Sequence, residues 1–343
     1  MPLKGVSPPL SRRARTASRF SWAELDPERR NSLLLIGAIS LIVMFALAIV
    51  GYGYYVDRIK PGRETVLQVG SARISYAELE DRATSDLKVG YIERDNIEQG
   101  IVESLNRMGD EEVLRQLAKS RGMTISEADV DAEIRKELDL NPGLPREQMA
   151  EKVASQLRLF GISLDAYRDR LKATIIEDRL RDELDDSIPA ESEHASLRII
   201  YVQNEPGILA AKDSINNSIA AGTPPEAAFA IVATTSSDDP SKEKAGDLGY
   251  VARGVFEPEI DAIAFSQRGL SEPISTRTGY YLLYVRDVRT QEVTADEKSR
   301  ILNRSLENIV QPFKDGLAPL LTLKTTQLAK IALKLTQMVT RNA

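Results

Sequence analysis

Between Leu33 and Val56 the chain carries no charged residue, and nearly every position is apolar or small. At ~1.5 Å of rise per residue, these ~24 residues reach across a ~30 Å hydrocarbon core when helical. A helix packed inside a globular core shows a polar face, and none is visible between Leu33 and Tyr55. The run is too long for the apolar region of a cleaved signal peptide and lacks a small-x-small cleavage site. A single transmembrane helix over residues 33–56 is therefore expected. Its flanks set the orientation. Lys4, Arg12, Arg13, Arg15, Arg19, Arg29 and Arg30 precede it against Glu24, Asp26 and Glu28, whereas Arg58, Lys60 and Arg63 follow beside Asp57 and Glu64. Positive-inside reasoning places residues 1–32, a Pro-, Ser- and Arg-bearing tail without apolar periodicity, in the cytoplasm. Everything after the span is expected outside it, which makes a single-pass cell-membrane protein.

Charged residues make up 28% of the chain and only one span is present, as in an anchored soluble protein rather than a polytopic one. The ~285 residues beyond the span hold about two domains. The net charge of −6 gives no electrostatic support to a nucleic-acid partner. Without cysteine there is no disulfide, no thiolate chemistry and no lipoprotein anchor. His194 is the only histidine, so a histidine-based metal site and a histidine-containing triad are excluded; it stands before the first strand expected beyond it and is expected to be a linker residue. No metal and no cofactor are expected.

Gly62 to Ile74 alternates and turns at Gly70-Ser71 like a hairpin, and Ser75 with Glu78 spells a capping box. Helical spacing then continues to about Leu184. Val113, Leu114, Leu117 and Ala118 form one stripe, and Val130, Ile134 and Leu138 another behind Ser126 and Asp129. Met149, Val153, Leu157 and Phe160 give a third, and Tyr167, Leu171 and Ile175 a fourth behind Ser163. Ser187-Ile188-Pro189 suits a hinge. Thr294 can cap a helix through Ile301, Leu302, Leu306 and Ile309 that stops at Pro312. The final stretch carries Lys324, Lys330, Lys334 and Arg341 without an acid. Docking on the acidic helical body, contact with a lipid surface and pairing with a partner helix all remain open for it.

From Ser237 to Tyr281 short apolar runs and glycines alternate with polar turns: Ser237-Asp238-Asp239-Pro240, Gly246-Asp247-Leu248-Gly249-Tyr250, Arg253-Gly254-Val255-Phe256, Phe265, Gly269, Ser271-Glu272-Pro273-Ile274, Thr276 and Gly279-Tyr280-Tyr281. As an ordered set these pieces resemble the parvulin-type peptidyl-prolyl isomerase domain, with the resemblance running from Ala195 to Val288. The hairpin followed by helices resembles the N-terminal chaperone domain of SurA-type and membrane-anchored foldases. The expected fold class is thus α+β. It comprises a tail at residues 1–32, a transmembrane helix at 33–56, a helical SurA-like domain at 64–186 and C-terminal helices with a basic tail at 291–343. A parvulin-like domain with a four-stranded antiparallel sheet and surrounding helices stands at 190–290. A helix over residues 295–311 is expected to return onto the N-terminal domain, as in related foldases.

The resemblance also implies a site. Parvulins seat the proline ring on apolar residues, which fall here on Leu248, Phe256 and Ile260, with Phe265 beside them. Core packing accounts for the same residues equally well. Family members often place two facing histidines on the first and last strands, with Cys or Asp between. The corresponding positions are Arg198, Tyr281 and Asp239, with Thr276 and Thr278 as hydroxyl-bearing neighbours. Two outcomes follow: an Arg–Asp–Tyr cluster that polarises the amide, or a degenerate site. The implied function is a membrane-anchored extracytoplasmic foldase whose partners are unfolded, newly translocated polypeptides, close to the translocon. A structural or assembly subunit with an inert parvulin-like module, and an active prolyl isomerase, are the alternatives.

Overall fold

The computed structural model describes residues 27–55, 61–141 and 143–341, with side chains from residue 40 onward apart from those of 54 and 61. It divides into two units, Met1–Arg63 and Glu64–Ala343. The first holds α1 (Pro27–Tyr54). Along it Leu41, Ile42, Met44, Phe45, Leu47 and Val50 are each 66% to 69% exposed. Among the described residues no helix is long and apolar enough to cross a membrane. The span expected at 33–56 lies in part outside them, because α1 side chains are described from Ser40 on and Val56 is not described.

The second unit opens with the hairpin β1 (Thr65–Val69) and β2 (Ala72–Ser75), which register antiparallel. Ser75 then starts α2 (Tyr76–Val89): its Oγ accepts from Glu78 N at 3.3 Å, and Glu78 Oε2 accepts from Ser75 N at 2.7 Å. This reciprocal cap satisfies two backbone donors that the first turn would otherwise leave open. Next come α3 (Ile97–Ser120), α4 (Glu127–Glu137), α5 (Arg146–Phe160) and α6 (Leu164–Asp185). Ser126 with Asp129 repeats the capping box on α4, and Ser163 caps α6. Most residues of the stripes expected from spacing are buried: Val113, Leu114, Leu117 and Ala118 on α3, and Val130, Ile134, Met149 and Val153 in a core of their own with Leu171 and Ile175, whereas Leu138, Leu157 and Tyr167 are half-buried against it and Phe160 is exposed.

The sheet domain runs β3 (Glu191–Val202), α7 (Glu205–Ala220), α8 (Pro225–Ser236), β4 (Asp247–Ala252), α9 (Pro258–Ser266), β5 (Gly269–Leu270), β6 (Ile274–Ser275) and β7 (Tyr280–Glu292). Four antiparallel strands lie in the order β4-β3-β7-β5, and short β6 also pairs with β7, so the sheet has one strand more than expected. Period-2 alternation divides it into two faces. Ile200, Val202 and Leu282 meet α7 and α8, while Ala195, Leu197, Ile199, Leu283 and Val285 meet Ile260 and Ala264 of α9.

The remaining chain, α10 (Ala295–Leu317), β8 (Leu320–Leu321) and α11 (Thr325–Arg341), returns to the N-terminal helices. Leu306 of α10 packs with Leu114, Leu117, Ile176 and Leu180. β8 adds a third strand beside β1. Ile331, Ala332 and Leu335 of α11 enter the core built by Val66, Leu79, Ile101 and Leu105. The basic tail therefore docks on the helical body, where Lys324 pairs with Glu64 at 3.1 Å and Lys334 pairs with Glu80.

Two expectations need correction here. Pro312 does not end its helix, which runs on to Leu317. An interior proline costs ~3 kcal/mol or more; packing of Val310, Phe313 and Leu317 against the N-terminal cores offsets it. His194 is not a linker residue: it lies within β3 and is 2% exposed. β7 extends to Glu292 and supplies ladder partners as far back as Glu191, so the strand begins earlier than expected. His194 Nε2 lies 3.2 Å from Glu297 Oε1, which also accepts from Ala252 N at 3.2 Å, tying β3 and β4 to the start of α10.

Candidate functional site

Two bulges shape the sheet around the expected site. Between Leu197 and Arg198 the β4 partners step from Gly249 to Asp247, which leaves Leu248 as an extra residue. Between Ser196 and Leu197 the β7 partners step from Asp287 to Val285, which leaves Arg286 as another. Such insertions re-aim side chains. Arg286 thereby reaches Asp247 at 2.7 Å and Glu226 at 2.8 Å.

Arg198 joins that group and not the expected cluster. Its Nε donates to Glu226 Oε1 at 3.1 Å, its Nη1 donates to the Ala245 carbonyl at 2.9 Å, and its Nη2 lies 3.5 Å from Asp247. Hydrogen bonding to Arg286 leads the causes that hold the Asp247 carboxyl down at about 2. The physical reason for the misplacement is the strand period. Successive side chains along a strand point to opposite faces, and Arg198 sits between Leu197 and Ile199, both of which point toward α9. The β3 residue that stands opposite Tyr281 is Tyr201.

Tyr201 and Tyr281 pack with ring centroids 4.9 Å apart. Around them the structure brings Thr276 and Thr278 together as expected, and adds Glu257, which nothing in the spacing singled out. Thr278 Oγ1 donates to Glu257 Oε1 at 2.8 Å. A carboxylate only accepts, so the one Thr278 hydroxyl hydrogen is committed there. Tyr281 Oη, 3.1 Å from Thr278 Oγ1, must then be the donor in that pair. Tyr201 Oη donates to the Thr278 carbonyl at 2.8 Å, and Thr276 Oγ1 donates to the Gly279 carbonyl at 3.2 Å. Burial pushes the Tyr281 phenol up, and the Glu257 and Asp239 carboxylates add to the shift. Asp239 itself makes no hydrogen bond to either tyrosine among the described residues; its Oδ1 accepts from Ser241 N at 2.7 Å. Gly279 is required for this arrangement. Its φ is +149°, and a Cβ there would fall 2.6 Å from the Tyr201 ring and 2.8 Å from the Val202 carbonyl oxygen.

The apolar residues share the α9 face. Ile260 is 2% exposed and belongs to the core, with Leu248, Phe256 and Phe265 half-buried against it. The Arg253 guanidinium lies 4.1 Å from the Phe265 ring centroid and so covers one face of that ring. A more open apolar surface lies among the helices, where a cleft of about 750 Å³ is bordered by Leu114, Leu138, Val153, Leu157, Phe160 and Leu171. Those residues come from α3, α5, α6 and the residue that caps α4, so no local pattern announces the cleft.

Comparison with known proteins matches residues 28–181 to the SurA-like N-terminal domain and residues 204–287 to the PPIC-type PPIase domain. Among curated proteins, Foldase protein PrsA of Caldanaerobacter subterraneus is 25% identical over 228 residues, covering 65% of this chain and 69% of that one. Chaperone SurA of Chromobacterium violaceum is 29% identical over 115 residues, covering 33% of this chain and 26% of its own. Among solved structures, the peptidylprolyl isomerase PrsA of Bacillus anthracis covers 69% of this chain and 97% of its own at 20% identity and a TM-score of 0.36. With a SurA-like N-terminal domain and a PPIC-type isomerase domain in series, the chain belongs to the parvulin-type peptidyl-prolyl isomerase and chaperone family.

Proposed function

We propose that the protein is an extracytoplasmic foldase that holds unfolded, newly translocated polypeptides, with a parvulin-like module of low turnover. The family's foldases and chaperones support the first part. The observation that carries the reading is the contrast within the second unit. The polar cluster of the sheet domain commits its hydroxyl hydrogens internally, while the helices border an accessible, apolar-walled cleft. An apolar cleft binds extended chains by removing apolar area from water, at ~25 cal/mol per Å², with little demand on sequence. The full chain should therefore suppress aggregation of two unrelated unfolded clients at near-stoichiometric ratio. Suppression of neither, with the chain recovered at fixed ratio in one membrane complex, would instead establish an assembly subunit.

Anchoring at the cell membrane belongs to the same proposal. Its support is the helical backbone of α1, the uncharged run from Leu33 to Val56, and the outward apolar residues from Leu41 to Val50. Tethering raises the effective concentration of the foldase where clients emerge beside the translocon. Protease added outside spheroplasts should digest the bulk of the chain and leave a short protected fragment. Full protection of residues 64–343 sinks this topology.

A further inference from the structure

The polar cluster of the sheet domain has spent its donors and kept an acceptor. Glu257 is only 9% exposed, yet among the described residues it forms no ion pair. Its carboxylate accepts from the neutral Thr278 hydroxyl on Oε1 at 2.8 Å, and Oε2 accepts no hydrogen bond among the described residues. A carboxylate this far from water ordinarily has a cation beside it, because one neutral donor does not replace its hydration. The arginines of the adjoining elements are committed elsewhere. Arg277, on the turn that carries Thr278, is held by Glu307 at 2.7 Å, Arg304 reaches the same Glu307 at 2.8 Å, and Arg253 is held by Glu193 at 2.6 Å. Arg253 and Arg304 also act on Asp261. Three guanidinium charges thus face three carboxylates, which leaves Glu257 without a counterpart. α9 starts directly behind Glu257 with the partial positive charge of a helix N-terminus, but Glu259 and Asp261 of its first turn share that charge. Asp239 adds a second carboxylate, which acts with Glu257 to push the Tyr281 phenol up.

We propose that Glu257 is a specificity-determining residue of the parvulin-like module, which takes client segments carrying Lys or Arg next to a proline, the client cation pairing with the Glu257 carboxylate. The match to a PPIC-type PPIase domain makes a proline-containing segment the substrate class. Phe256, next to Glu257 in the chain, offers a half-buried ring as apolar surface for the proline. The residue beside that proline then comes within reach of the carboxylate. The Tyr201 and Tyr281 rings, 4.9 Å apart beside Thr278, favour the same charge, since aromatic faces attract cations. Recognition of this kind needs an acceptor and no donor, so it is compatible with low turnover. The inference rests on the foldase reading and adds a substrate class for its sheet domain.

The test uses the full chain and blocked peptides, acetylated and amidated, with a Lys-Pro-Lys core in an otherwise uncharged sequence. One twin carries norleucine in place of both lysines, and another has the same lysines moved to the peptide ends. The Lys-Pro-Lys peptide should bind about tenfold tighter than either twin, as one charge-assisted hydrogen bond implies. Glu257→Gln keeps an acceptor for Thr278, and should abolish that preference while the norleucine twin binds as before. Equal affinity of the Lys-Pro-Lys and norleucine peptides for the wild-type chain overturns the inference, as does a preference that survives Glu257→Gln. A moved-lysine peptide that binds as tightly as Lys-Pro-Lys also overturns it, in favour of general attraction to an acidic surface. Should Glu257→Gln unfold the chain, the three peptides on the wild-type chain decide by the same criteria. Peptides that bind equally, or not at all, while aggregation is suppressed defeat this inference alone. Peptides that all fail to bind, with no suppression, defeat the foldase reading.

Discussion

Asp86→Asn is expected to lower the stability of the Glu64–Ala343 unit by about 3–5 kcal/mol, the range seen when one member of a buried ion pair is removed. The wild-type carboxylate accepts from Ser104 Oγ at 2.8 Å and from Arg82 and Arg107, and is wholly shielded from water. The substitution leaves Arg82, Arg107 and Arg170 with Glu111 as their one nearby counter-charge. For a domain of this size the melting transition should fall by on the order of 10 °C. Burial by itself raises the Asp86 carboxyl; Arg82, Arg107, Ser104 and Arg170 outweigh burial and bring it below its ordinary value of 3.8. A carboxyl lowered in the folded state contributes stability above its unfolded value and loses it as pH falls through the folded one. The wild-type chain should therefore lose stability below about pH 4 more steeply than Asp86→Asn does. A melting point within ~2 °C of wild type and an unaltered acid limb would remove the network from the stability argument.

The full chain is expected to accelerate X-Pro isomerisation at least ~100-fold less than a parvulin carrying both histidines, since one preorganised donor is worth ~10²–10³ in rate. Rotation faces a barrier of ~18–20 kcal/mol because the amide loses resonance. An enzyme lowers it only through contacts stronger in the twisted state than in the planar one. In this domain the Tyr201, Tyr281, Thr276 and Thr278 hydroxyl hydrogens all have internal acceptors, and Arg198 lies across the sheet. A protease-coupled peptide assay on the full chain measures the rate. Turnover comparable to a histidine-bearing parvulin, lost on Tyr281→Phe, would show that the cluster opens to substrate and that the active-isomerase alternative holds.

Much of the architecture was legible because it is written in short-range chemistry. Ser75 with Glu78, Ser126 with Asp129, and Ser163 mark helix starts through hydrogen bonds spanning three residues. The ordered pieces from Ser237 to Tyr281 lie on turns, bulges and short strands whose backbone demands are local. Tyr281, Thr276 and Thr278 were within reach for the same reason, since all three lie on one turn and strand entry. Arg198 fell outside the cluster because strand side chains alternate in face, and Tyr201, which stands opposite Tyr281, lies an odd number of residues further along β3.

What the sequence determined by itself is the list of elements, the family, and the uncharged run that sets α1 apart. These depend on periodicities and caps of a few residues. Tertiary structure alone decided how distant segments combine. It completed the β1–β2 hairpin with β8, more than two hundred residues away, and carried α10 past Pro312 because apolar contacts outweighed a local penalty. It placed the buried His194 against Glu297, and gathered Arg82, Asp86, Arg107 and Arg170 from three helices under one cleft. Burial and pairing of charge are properties of the folded surface, and no local pattern encodes them.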